Sequence, residues 1–172
     1  MCRHCAIASD RLILAAGERA QIWEEQAMAI KVVELHHTGV RIDAGKQNAV
    51  ENFYSSVLGL SRDEGRPTIP GIPGAWINVG EVGQIHLIGG DQPSPVAQGP
   101  GQDPTLPHLA MAVADIVATK AELDRMGVKY WSLKALTSPD SEQIFLNDPC
   151  GNMVELHQVD KCRCAMRGRV GK

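Results

Sequence analysis

His37-Thr38-Gly39-Val40-Arg41-Ile42 and His108-Leu109-Ala110-Met111-Ala112-Val113 stand 71 residues apart and share one pattern. In each, a histidine is followed at the third and fifth positions by apolar residues. A second pair answers the first: Gly83-Gln84-Ile85-His86-Leu87 lies over Gly151-Asn152-Met153-Val154-Glu155-Leu156, with His86 and Glu155 at an offset of 69. Self-similarity of this kind marks a supersecondary unit used twice, each copy burying an apolar face.

Each copy reads strand, helix, then two or three strands. In the first, 32–42 is β-rich and ends at Asp43, and the helix expected over 44–60 carries Val50, Phe53, Val57 and Leu60 as one stripe. Gly59 suits its left-handed cap. A Pro/Gly-rich loop, 66–74, is followed by strands over 75–79 and 84–88. In the second copy a strand over 108–113 leads to Asp115 as N-cap. The helix 116–126, with Ile116, Thr119, Leu123 and Met126 along one side, stops at Gly127. Strands over 128–133, 143–146 and 153–156 complete it, the last two joined by the turn Asn147-Asp148-Pro149-Cys150-Gly151-Asn152. Module one thus spans 31–90 and module two 105–158. The Gly-, Pro-, Gln- and Asp-rich stretch from Gly89 to Pro107, centred on 91–104, reads as the linker.

Composition agrees with a single folded unit: 172 residues, 44% hydrophobic and 22% charged. With 17 basic against 20 acidic residues and a net charge of -3, no footprint for nucleic acid stands out. No window approaches the ~20 apolar residues of a membrane span. Leu12–Ala16, between Arg11 and Glu18, is too short for a secretory segment, so a cytoplasmic protein with no membrane partner is expected. Of five cysteines, four (Cys2, Cys5, Cys162, Cys164) lie at the ends. That argues against a disulfide framework. With His4 they would make a zinc site only if the termini met, and Cys162-Arg163-Cys164 is spaced too tightly for the usual pattern. Residues 1–30 read as an N-terminal extension, helical or disordered, and 159–172 as a basic tail.

The repeat singles out His37, His86, His108 and Glu155. Successive side chains on a strand point to opposite faces, so Ile85 and Leu87 oppose His86, and Val154 and Leu156 oppose Glu155. If the helices cover the apolar faces, the polar four share the other. A buried carboxylate needs a partner, and one divalent cation satisfies it together with neutral imidazoles. Three histidines and a glutamate suit Zn, Ni, Co, Mn or Fe rather than Ca or Mg. His36 competes with His37, but its parity puts it with Val40 and Ile42. His157 shares the parity of Glu155 and reads as a supporting or spare ligand.

These residues and their βαβββ setting resemble the vicinal oxygen chelate superfamily, which holds glyoxalases, ring-cleaving dioxygenases, methylmalonyl-CoA epimerases and antibiotic-resistance proteins. The resemblance runs through Leu35-His36-His37-Thr38-Gly39-Val40, Phe53-Tyr54-Ser55-Ser56-Val57-Leu58-Gly59-Leu60, Gln84–Ile88, Pro107-His108-Leu109-Ala110 and Asp148–Leu156, covering about 31 to 158. It implies an α+β fold in which two βαβββ modules form a half-open mixed β-barrel with flanking helices, around a metal held by His37, His86, His108 and Glu155. At residue 86 the chain departs from the pattern: glyoxalases of the methylglyoxal pathway usually carry glutamate there and epimerases glutamine. Cys150 stands where aspartate is common and reads as a turn residue.

The expected function is metal-dependent, glyoxalase-like chemistry on a small α-oxygenated carbonyl compound, by lyase, isomerase or epimerase steps. Glu155 would be ligand and catalytic base. The alternative is an Fe(II) dioxygenase using His37, His108 and Glu155, in which His86 crowds one open position. A third reading is an antibiotic-binding resistance protein without catalysis, and a fourth is thiol transfer to an epoxide antibiotic, which uses three of the four ligand places. Arg41, Trp76 and Phe145 are the candidate substrate contacts. A second chain can complete curled sheets of this kind, which leaves a homodimer open.

Overall fold

In the computed structural model, residues 30–81 and 83–161 are described. Residues 1–29 of the N-terminal extension expected over 1–30, the cysteine-bearing ends and the part of the basic tail beyond Lys161 lie outside them.

Strand β1 (Val32–Arg41) is the seam of the molecule. On one edge it pairs parallel with β4 (Gly83–Ile88), and on the other antiparallel with β5 (His108–Val113). β3 (Gly74–Val79) and the two-residue β2 (Ser61–Arg62) extend the first side. On the second side β8 (Met153–Gln158) pairs parallel with β5, followed by β7 (Glu142–Asn147) and β6 (Trp131–Lys134). The eight-stranded order is β2-β3-β4-β1-β5-β8-β7-β6. Read outward from the seam, β1-β4-β3-β2 and β5-β8-β7-β6 are the same arrangement used twice. The sheet is mixed and open, with one helical segment from each copy on its apolar side. No described helix is long and apolar enough to cross a membrane.

Two apolar clusters hold the helices to the sheet. Ala75, Ile77 and Leu87 pack with Val40, Ile42, Val50, Tyr54 and Leu60 in the first half. Val113, Ile116, Leu123, Ile144 and Leu156 form the second. Helix α2 (Ile116–Arg125) starts where the Asp115 carboxylate accepts from the amides of Val117 and Ala118. It ends at Gly127, whose φ is 67°. Met126, expected on the inner stripe, is exposed, and Glu122 is buried in its stead; the chain leaves the helix before Met126 can face inward.

The first helix departs further from expectation. Its region comprises a 3-10 turn (Ala44–Lys46), α1 (Gln47–Asn52) and a π-helical stretch (Phe53–Val57). A π turn admits one residue more than an α turn, so the position inward of Val50 passes to Tyr54 and the stripe rotates. Phe53 and Val57, expected inside, are 50% and 67% exposed.

The stretch between the modules has an internal anchor. The buried Asp103 carboxylate accepts from the Ser94 amide at 2.6 Å, the Thr105 amide at 2.9 Å and the Thr105 hydroxyl at 2.7 Å. Burial opposes its ionisation, but these donors outweigh burial and hold the carboxyl below its ordinary pKa.

Candidate metal centre

Three donor atoms meet where the two copies join. His37 arrives on β1, His108 on β5 and Glu155 on β8. His37 Nε2 lies 3.2 Å from His108 Nε2, and Glu155 Oε2 lies 3.7 Å from the former and 3.4 Å from the latter. All three side chains are buried. The register explains the convergence: His37 pairs with Ala110, and Ala110 with Glu155, so the smallest side chain of the three leaves the space its neighbours fill. On the other side His108 pairs with Gly39.

Hydrogen bonds set each ring. His108 Nδ1 lies 2.7 Å from the Leu106 carbonyl. A carbonyl only accepts, so Nδ1 carries the proton and the Nε2 lone pair is turned to the cluster. His37 Nδ1 and His36 Nδ1 are 2.9 Å apart; were His37 Nε2 to give its lone pair to a metal ion, His37 Nδ1 would be the donor of this bond and a neutral His36 the acceptor. Glu155 Oε1 accepts from Gln143 Nε2 at 3.1 Å and lies 3.3 Å from His157 Nδ1. That leaves Oε2 for the two imidazoles.

The charge state follows from burial. It pushes the pKa of His37 well below the ordinary value, with the neighbouring His86 adding to the effect. His36 is lowered to about 4, again by burial first and then by His157. Burial alone would raise Glu155, but His37, the close His157 and His108 outweigh it and hold the carboxyl well below its usual range. Neutral imidazoles around an ionised carboxylate make a negative buried cluster. Among the described residues, Glu155 has ion-pair contacts only with histidines.

This donor set fits a divalent cation. Ligands bound at about 2.0–2.2 Å in tetrahedral geometry keep their donor atoms roughly 3.3–3.6 Å apart, close to the separations found. His37, His108 and Glu155 form the candidate metal-holding group among the described residues.

His86, the fourth ligand expected from the repeat, stands beside this group. Its ring stacks on His37 with centroids 3.7 Å apart and on Trp76 at 4.6 Å. Its Nε2 lies 3.0 Å from Gln84 Oε1, while Gln84 Nε2 donates to Asn78 at 2.9 Å and Asp63 at 2.8 Å. With the amide so oriented, His86 donates from Nε2 and keeps its lone pair on Nδ1. Burial first, then crowding by protonatable and cationic neighbours including Arg66, holds its pKa well below the ordinary value, so the ring is neutral.

The His36 side chain is also where alternation does not put it. A register irregularity in β1 between Leu35 and His37 breaks the parity. The His36 ring therefore meets His157 on the metal-centre side, centroids 4.4 Å apart, rather than joining Val40 and Ile42.

A cavity of about 50 Å³ opens from the cluster, lined by His37, His86, His108 and Glu155 and walled by Trp76, Ile72 and Leu136. Of the candidate substrate contacts, Trp76 lines it. Phe145 is fully buried behind His108 and stacks on Trp131 at 4.2 Å. Arg41 is spent elsewhere: its guanidinium donates to the carbonyls of Gly89, at 3.1 Å, and Gly90. The arginine at the cavity is Arg66, which no sequence pattern marks. Gln143 could have been read from its parity with Phe145, a polar residue at an inward position.

Comparison with known proteins bears on this arrangement. Residues 34–156 match the family model described as Glyoxalase/Bleomycin resistance protein/Dioxygenase superfamily. The chain belongs to this superfamily. Among solved structures, methylmalonyl-CoA epimerase from Mycobacterium tuberculosis is 24% identical with a TM-score of 0.59, over 76% of this chain and 90% of that one. A methylmalonyl-CoA epimerase from Streptomyces coelicolor, in complex with 2-nitronate-propionyl-CoA, is 16% identical with a TM-score of 0.57, over 77% and 98%. A hypothetical protein from Bacillus halodurans is 23% identical with a TM-score of 0.56, over 73% and 93%. At these identities the likeness is one of fold. No curated protein matches the sequence. In this superfamily member the buried His-His-Glu cluster lies at the seam where the two halves of the sheet meet.

Proposed function

We propose that the chain is a metal-dependent enzyme of glyoxalase type, acting on a small α-oxygenated carbonyl compound by proton transfer at the carbon beside the carbonyl. One observation carries the reading: three buried donor atoms from both modules converge within 3.2–3.7 Å around a charge deficit that a divalent cation would fill. His37, His108 and Glu155 would hold Zn, Ni, Co, Mn or Fe. A bound ion of this kind supplies Lewis-acid polarisation of a substrate oxygen.

The remaining work falls to the chain. Gln143 ties down Glu155 Oε1 and so fixes which oxygen faces the ion. With Oε1 held by Gln143 and Oε2 turned to the two imidazoles, Glu155 serves as ligand and has no oxygen left over to act as base. His86 is the better proton acceptor: it lines the cavity, is neutral, and has Nδ1 as its lone-pair nitrogen while Gln84 holds Nε2. Trp76, stacked on His86, keeps that ring from turning and presents an apolar wall that excludes water.

A second reading, an Fe(II) dioxygenase, gains from the cluster being two histidines and one carboxylate, the set such enzymes use with open positions. Elemental analysis of the purified protein, followed by assays with the metal found, separates them. Zn, Ni, Co or Mn with exchange of the substrate's α-proton and no O₂ uptake supports the proposal. Iron with O₂ consumption overturns it in favour of the second reading.

A further inference from the structure

We infer that the cavity takes a substrate bearing a carboxylate and that Arg66 receives it. The inference rests on the metal-centre reading above, since it turns the oxygenated end of the substrate to the cluster and the anionic end to Arg66.

Arg66 stands on the loop between β2 and β3 and lines the same cavity as His37, His108 and Glu155. It is the one lining residue with a permanent positive charge. Two of its N–H groups are used on the loop: Nη1 donates to the Pro67 carbonyl at 3.2 Å and Nη2 to the Ile72 carbonyl at 2.8 Å. Its Nε is buried without a hydrogen-bond partner. Glu51, whose charge favours the ionised guanidinium, is hydrogen-bonded to Arg62 at 2.7 Å and to Gln47 at 2.7 Å. Among the described residues no acid forms an ion pair with Arg66.

A half-buried guanidinium with its fork fixed by backbone carbonyls and no carboxylate in direct ion-pair contact is a costly arrangement for the chain alone. It is a prepared one for a planar anion, because the ordering of the side chain is complete before the ligand arrives. Ile69, Ile72 and Trp76 line the same cavity and give it an apolar wall, which strengthens a charge-assisted hydrogen bond made inside it. Arg41 does not line this cavity.

The test uses two probes that differ by one charge, L-malate and its 4-methyl ester. Both keep the same hydroxy-acid end for the metal centre. Calorimetric titrations are made on the full chain loaded with Zn²⁺ and on chelator-treated protein, for wild type, Arg66→Met and Arg66→Lys. Loaded wild type is expected to bind malate roughly tenfold more tightly than the ester. In Arg66→Met that ratio falls to near one with ester affinity unchanged, and Arg66→Lys is intermediate. A merely structural role would weaken both probes together and leave the ratio alone. A wild-type ratio near one, no measurable malate binding, or a ratio that survives in Arg66→Met and Arg66→Lys overturns the assignment. Should Zn²⁺ make no difference to either probe, the metal-centre reading fails, while the ratio still reports on Arg66.

Discussion

The imidazole of His108 lies against the bare backbone of Gly39: a β-carbon on residue 39 would fall 2.4 Å from His108 Cε1 and 2.8 Å from its Nε2. No rotation of a methyl relieves such an overlap, so one of the two strands or the ring must move. Gly39→Ala is therefore expected to turn His108 out of the cluster and weaken divalent-metal binding by about 10–100-fold, the range for residues that orient a ligand. Competition titration with a chromogenic chelator measures this; unchanged affinity would contradict it.

Gln143 supports the cluster from behind through Glu155 Oε1. Gln143→Leu keeps the bulk and removes the donor. Metal affinity is expected to fall by about tenfold or more, with near-native far-UV circular dichroism. Wild-type affinity in this variant would show that the carboxylate needs no anchor.

Acid should weaken the metal-free protein. The folded-state pKa of His36 is lowered to about 4 from 6.5, so between those values the unfolded chain binds a proton that the fold refuses. Stability accordingly rises with pH through that window and levels off above it. This one residue is worth about 3 kcal/mol. His37, also lowered, acts in the same direction. Glu155, held below its ordinary value, contributes stability above the unfolded carboxyl pKa and loses it as pH falls further. Urea melts of chelator-treated protein at about pH 7.5 and about pH 5 should show a clearly lower midpoint in acid. Equal midpoints would mean these imidazoles are not buried neutral.

His86 and His108 should separate by phenotype. His108→Ala is expected to abolish stoichiometric metal. His86→Ala is expected to keep metal affinity within about threefold, below the effect of losing an orienting residue, while turnover with any active substrate drops by about 100-fold or more. Equal loss of metal in both variants would make His86 a ligand and return the base to another group.

The repeat made much of this legible. Two copies of one pattern imply two copies of one sheet order, and alternation in Ile85-His86-Leu87 and Val154-Glu155-Leu156 gives the correct inward faces. Alternation fails where a strand does: the irregularity beside His37 brings His36 round to the same side. The stripe of the first helix shifts because a π turn has a different period from the α turn assumed. Which nitrogen a histidine offers depends on its partner, so the Gln84 bond that takes His86 Nε2 has no trace in spacing. Arg41 and Arg66 are equally cationic on paper. Only the paths of the loops 66–74 and 89–90 decide which one reaches the cavity.

Crystals of the Zn²⁺-loaded protein, with anomalous data collected at the zinc edge, test the central claim most directly. The account predicts a single strong peak bonded to His37 Nε2, His108 Nε2 and Glu155 Oε2 at about 2.0–2.2 Å. A loaded protein with no peak among these three side chains, or with its zinc held by other residues, would contradict it.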